Sequence, residues 1–152
     1  MDVTIVSGRQ RPDDVARLLH DLPEWFGLEE SLRNYIDAAR MLATTAALVD
    51  DEVVGVCLVR HHTPVAAEIE LLAVQRTLHR HGIGRRLLDA ADVDLRNHGI
   101  VLLQVKTFGP SGHSEEYART RSFYESVGFL PLEERADIWG PENPCLISVK
   151  VL

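Results

Sequence analysis

The stretch from Leu72 to Leu88 constrains this chain more than any other. An apolar run, Leu72-Ala73-Val74, leads through a short polar loop to Gly82-Ile83-Gly84, and an amphipathic segment opens at Ile83. Glycines at a strand-to-helix junction let a ligand approach the backbone closely, because no Cβ stands in the way. The amides of the loop and first helical turn lack intrahelical partners, and the helix dipole places partial positive charge there. Such a junction suits a pyrophosphate.

Composition bounds what can surround that junction. At 152 residues the chain is expected to form one domain with a sizeable core. Hydrophobic residues at 45% and charged residues at 26% describe an ordinary globular protein. Met1-Asp2-Val3-Thr4 has neither the basic nor the apolar part of a secretory leader, and no apolar run approaches the roughly 20 residues that span a bilayer. Cys57 and Cys145 fall in strand-like runs without a C-x-x-C pattern, which reads as buried free thiols in a reducing cytoplasm. A net charge of −7 argues against nonspecific nucleic-acid binding and favours cationic ligands.

The remaining elements follow from periodicity and punctuation. Asp2–Val6 alternates as a strand, and Pro12-Asp13-Asp14 opens a helix running to about His20. Glu29–Met41 is a second helix, with Leu28, Leu32, Tyr35, Ile36 and Ala39 at helical spacing. Ala46–Val49 and Val53–Arg60 flank Asp50-Asp51-Glu52 as a hairpin, and Ala67–Val74 is the fourth strand. Ile83, Leu87, Leu88, Ala91 and Leu95 stripe a helix that Gly99 terminates. Val101–Val105 is a near-continuous apolar run, expected to be buried on both faces. Ser114 caps a helix to Val127, stopped by Gly128, and Phe129–Glu133 and Leu146–Val151 are the last strands.

Two common phosphate-binding patterns do not fit the glycine junction. A dinucleotide fold needs G-x-G-x-x-G, and Arg86 or Leu87 stands where its third glycine belongs; a P-loop needs Gly-Lys-Ser/Thr, and Arg85-Arg86 follows Gly84. The segment resembles instead the coenzyme A loop of the GNAT N-acetyltransferases, Arg/Gln-x-x-Gly-x-Gly/Ala after a strand ending in Ala-Val. His79 replaces the usual Arg or Gln. The resemblance implies acetyl-CoA as co-substrate, bound by Leu72, Val74, His79, Arg80, His81, Gly82, Ile83, Gly84 and Arg85. It covers nearly the whole chain, because the element order β-α-α-β-β-β-α-β-α-β-β is that of the family. The implied fold is α/β: a single GNAT-type domain with a mixed, mostly antiparallel sheet, parallel splayed strands 4 and 5, and helices on both faces.

Phe123-Tyr124-Glu125-Ser126-Val127-Gly128-Phe129 is similar to the family's Phe-Tyr-x-x-x-Gly-Phe helix end. There the tyrosine, here Tyr124, lies near the coenzyme sulfur and protonates the departing thiolate. Family members carry Asn seven residues and Ala four residues before it, where this chain has Tyr117 and Thr120. Ala67-Glu68-Ile69-Glu70-Leu71-Leu72-Ala73-Val74 resembles the Ala-Glu-Ile-x-x-x-Ala-Val strand of the histone-acetyltransferase branch, which implies Glu68 as general base. Glu70 shares its face by the period of two and is the second candidate. A carboxylate in an apolar cleft has its pKa raised toward the range a base needs. The family's fourth strand is bulged, and a backbone amide near Val74 would hold the thioester oxygen.

His61-His62, His79/His81 and His113 fall in separate segments without ligand spacing, so no metal is expected. Trp25 and Phe26 are candidates for stacking on the acceptor, the alternative being that they staple the helix pair to the sheet. The implied function is transfer of an acetyl group from acetyl-CoA to a primary amine, by direct attack and a tetrahedral intermediate. The acceptor is a small-molecule amine or a protein amine, and a homodimer is a common assembly among such relatives. The competing reading is a non-catalytic acyl-CoA-binding or sensing module.

Overall fold

Proline at the start and acids in the first turn open the first helix, α1 (Pro12–His20), behind the strand β1 (Thr4–Arg9). The computed structural model describes residues 1–152. Residues 22–27, between the first two helices read from the sequence, close into one helical turn, α2 (Pro23–Phe26), whose Trp25 and Phe26 amides donate to the Leu22 carbonyl. Helix α3 (Glu29–Met41) follows, then the hairpin of β2 (Thr44–Val49) and β3 (Glu52–His61). Asp50 and Asp51 turn it with φ of 50° and 64°, the left-handed pair that a two-residue hairpin requires. The rest comprises β4 (Ala66–Val74), α4 (Ile83–Asn97), β5 (Leu102–Phe108), α5 (Glu115–Ser126), β6 (Leu130–Arg135) and β7 (Cys145–Val151). No helix is long and apolar enough to cross a membrane.

The strands form one mixed sheet in the order β1-β2-β3-β4-β5-β7-β6. β4 and β5 are parallel, and the chain between them runs through α4, the long connection that a parallel pair demands. The residues group into two compact units, Met1–Arg60 with Ile69–His98, and His61–Glu68 with Gly99–Leu152.

In the first unit Val15, Leu18, Leu19 and Leu22 pack with Ala39 of α3 and with Ala46, Val56, Leu58, Leu71 and Ala73 of the strands. The neighbouring position Gly55 meets α4 instead: a Cβ there would come within 3.1 Å of Leu87 Cδ1 and 3.3 Å of Ile83 Cγ2. Helix α4 thus approaches β3 as closely as a missing side chain allows.

In the second unit β5 departs from the expectation of burial on both faces. Leu103, Val105 and Thr107 are buried, while Leu102 is exposed and Gln104 and Lys106 are half-buried. The near-continuous apolar run ends at Val105, and its alternate positions, Leu102, Gln104 and Lys106, line a cavity rather than packing under a second layer. β5 and β6 each pair antiparallel with β7, through Val105↔Ser148 and Leu130↔Val149 among others. β6 is one of the sheet's two edge strands and is exposed along its whole length.

Candidate active site

The junction after β4 is built as its composition predicts. Gly82 stands at the N-cap of α4 with φ of 78°, where an L side chain is strained, and Arg80 also holds a positive φ of 66°. No side chain caps the first turn of α4, and a Cβ on Gly82 would meet nothing within 4 Å. The helix therefore offers an open, uncapped N-terminus to an anion, and Gly84 lies within its first turn.

The two loop histidines are turned onto the backbone. His79 Nε2 donates to the Val74 carbonyl at 2.7 Å, and His81 Nδ1 donates to the His79 carbonyl at 3.0 Å. The His79 ring lies edge-on to Trp25, with centroids 5.7 Å apart. Phe26 meets Tyr35 in the same manner at 5.5 Å. Both α2 aromatics are half-buried against the first unit's core, so they staple α2 in place.

Tyr124 is buried in the last turn of α5, its ring 5.3 Å from both Phe123 and Phe129. Ser114 begins that helix as predicted, its Oγ accepting from the Tyr117 amide at 3.3 Å. At the other end Gly128 takes φ of 103°, and the Phe129 amide donates to the Tyr124 carbonyl at 3.0 Å. Tyr117 leans on Phe108 at 5.5 Å, and burial pushes its phenol up.

Glu68 is 7% exposed and lies at the centre of a polar cluster in the second unit. Its Oε1 accepts from His62 Nε2 at 2.7 Å, Gln104 Nε2 at 3.0 Å and Lys106 Nζ at 3.4 Å. These groups line a cavity of about 310 Å³, whose remaining wall is Ala66, Ala67, Leu102 and Val149. The cavity overturns the expectation of a raised carboxylate pKa. Burial does push Glu68 upward, but hydrogen bonds from His62 and Gln104 and the nearby Lys106 charge together hold it below its ordinary value. The sequence showed the carboxylate and could not show its three donors. Glu70, in the first unit, is half-buried and paired with Arg60, whose Nε donates at 3.1 Å.

Neither thiol is activated. Burial, with Asp92 nearby, pushes Cys57 up to about 12, and burial also raises Cys145.

A family model described as an acetyltransferase (GNAT) domain matches residues 42–131. The chain belongs to the GNAT acetyltransferase family. Among solved structures it is similar to a protein assigned to that family from Desulfovibrio desulfuricans, at TM-score 0.87, 21% identity and 99% coverage of each chain. It is also similar to the IAA acetyltransferase of Bacillus cereus, at TM-score 0.76 and 21% identity, over 99% of this chain and 100% of that one. A GNAT family acetyltransferase from Elizabethkingia anophelis with acetyl-CoA bound aligns at TM-score 0.72 and 20% identity, over 99% of this chain and 98% of that one. No curated protein sequence matches the chain.

Proposed function

We propose that this chain transfers the acetyl group of acetyl-CoA to a primary amine. The observation that carries the reading is the uncapped N-terminus of α4 behind a left-handed Gly82, an arrangement that suits an anion. The acetyl-CoA bound in the Elizabethkingia relative supports the same ligand. When bound, acetyl-CoA supplies an acyl thioester whose carbonyl carbon an amine can attack.

The chain's own groups divide the remaining work. Amides 79 to 85 hold the pyrophosphate, Arg80 and Arg85 add positive charge, and Leu72 and Val74 contribute the strand beside it. A backbone amide near Val74 steadies the thioester oxygen. Tyr124 donates its phenolic proton to the departing thiolate; a phenol near 10 suits a thiolate of roughly 8.5 to 10. The Glu68 cluster takes the proton that the amine gives up, a role that Glu70 suits less while Arg60 occupies its carboxylate. Cys57 and Cys145 stay protonated, so attack is direct rather than through an acyl-enzyme. The buried free thiols suit a reducing compartment such as the cytoplasm.

The experiment is thiol release from acetyl-CoA over a panel of a diamine, an aromatic amine, an aminoglycoside and a peptide N-terminus, alongside calorimetry of coenzyme binding. Thiol release that depends on one amine class, with the acetylated amine detected by mass, supports the reading. Tight binding without release on any amine overturns it in favour of an acyl-CoA-binding module.

A further inference from the structure

We propose that Nδ1 of His62, oriented by Glu68, is the atom that accepts the proton released by the acceptor amine. This rests on the acetyl-transfer reading above and names the base within it. Glu68 Oε1 already accepts from His62, Gln104 and Lys106, and Oε2 lies 3.4 Å from Lys106 Nζ. A carboxylate so surrounded, with its side chain 9% exposed, has little room to take a proton from an incoming amine. His62 differs on each count. Its side chain is 43% exposed beside the cavity, and only its Nε2 is engaged with Glu68.

The pairing also dictates the tautomer. An ionised carboxylate only accepts, so His62 donates from Nε2 and the neutral ring keeps its lone pair on Nδ1. The main chain holds the ring at that station. His62 N donates to the Ala66 carbonyl at 3.0 Å, and Thr63 Oγ1 accepts from the Val65 and Ala66 amides. The titratable group bonded to the ring is Glu68 on β4; Lys106 on β5 pairs with that carboxylate and lines the same cavity, with the Cys145 thiol of β7 in electrostatic reach of both.

The step balances without another reactant. One ammonium N–H bond breaks, its electron pair stays on nitrogen for attack on the acyl carbon, and the proton bonds to Nδ1; a second N–H proton leaves the nitrogen as the C–S bond breaks and, through solvent, replaces the one that Tyr124 gives the thiolate. The new imidazolium is stabilised by Glu68 and passes its proton to solvent across its exposed edge.

Nitrogen-15 NMR of the intact protein, with the ring signals assigned by their loss in His62→Gln, reads the tautomer with no substrate present. The expected result is hydrogen on Nε2 in the neutral ring; hydrogen on Nδ1 overturns the assignment. His62→Ala should lose about 10²- to 10⁴-fold in turnover, keep its acetyl-CoA dissociation constant, and recover part of the loss when free imidazole is added. Unchanged turnover, or a loss that imidazole does not repair, also overturns it. A panel on which no amine is acetylated overturns the acetyl-transfer reading, whereas hydrogen on Nδ1 overturns this assignment whatever the panel shows.

Discussion

The indole of Trp25 meets the imidazole of His79 edge-on, ring centroids 5.7 Å apart and planes at 76°. The same loop is tied to α2 a second time, because Arg76 Nη2 reaches the Asp21 carbonyl at 3.0 Å and the Glu24 carboxylate. Helix α2 therefore braces the loop proposed to hold the coenzyme. Trp25→Ala removes the ring contact, worth about 0.5–1.5 kcal/mol for an aromatic pair, and should weaken acetyl-CoA binding about two- to tenfold. Calorimetry checks this, and an unchanged dissociation constant would show that the loop does not depend on its brace.

The loop itself is tested by Gly84→Glu, which sets both bulk and negative charge in the first turn of α4. Binding of acetyl-CoA should be lost, and the parent's affinity should fall with added salt, since exposed charges are screened over about 8 to 10 Å at physiological ionic strength. A salt-independent dissociation constant, or a Gly84→Glu variant that binds as the parent does, argues against a pyrophosphate there.

Tyr124→Phe keeps the ring between Phe123 and Phe129 and deletes only the hydroxyl. Turnover should drop by about 10²- to 10⁴-fold, the usual worth of general-acid help, with coenzyme affinity retained. Should pre-steady-state kinetics show chemistry at the parent's rate, the tyrosine is a core residue only.

Glu68 links the cluster to acid stability. Its folded pKa lies below its ordinary value, so the stability its ionised form contributes is present above the unfolded value of about 4.3. That stability drains away as pH falls through the lower folded value. Melting temperature should therefore fall below about pH 4.3, and more steeply in the parent than in Glu68→Gln. Parallel curves would mean that the carboxylate is not held low.

The two acidic candidates on β4 separate in activity. Glu68→Gln removes the charge that orients His62 and should lower turnover near neutrality, recovering in part at high pH where free amine is abundant. Glu70→Gln breaks only the pairing with Arg60 and should leave turnover much closer to the parent's. A pH-dependent defect in Glu70→Gln with none in Glu68→Gln would move the proton acceptor one pleat along the strand.

Local signals were legible because they act over a few residues. Pro12 and Ser114 start helices, Asp50-Asp51 turns a hairpin, and Gly82 and Gly128 occupy positive-φ positions that their neighbours alone demand. The period along β4 likewise exposed Glu68 and Glu70 as chemistry-bearing positions. The short turn of α2 was not legible, since four residues carry no helical period.

By itself the sequence determined the longer elements, their order, and the strand-loop-helix junction before α4. Only the tertiary structure decided the character of Glu68, because two of its donors, Gln104 and Lys106, stand 36 and 38 residues further along the chain. Strand pairing brings them to it, and a carboxylate's proton affinity is the balance of lost water against gained donors. The run around Glu68 is apolar enough to predict a raised value; the partners delivered from β5 and the turn at His62 reverse the sign.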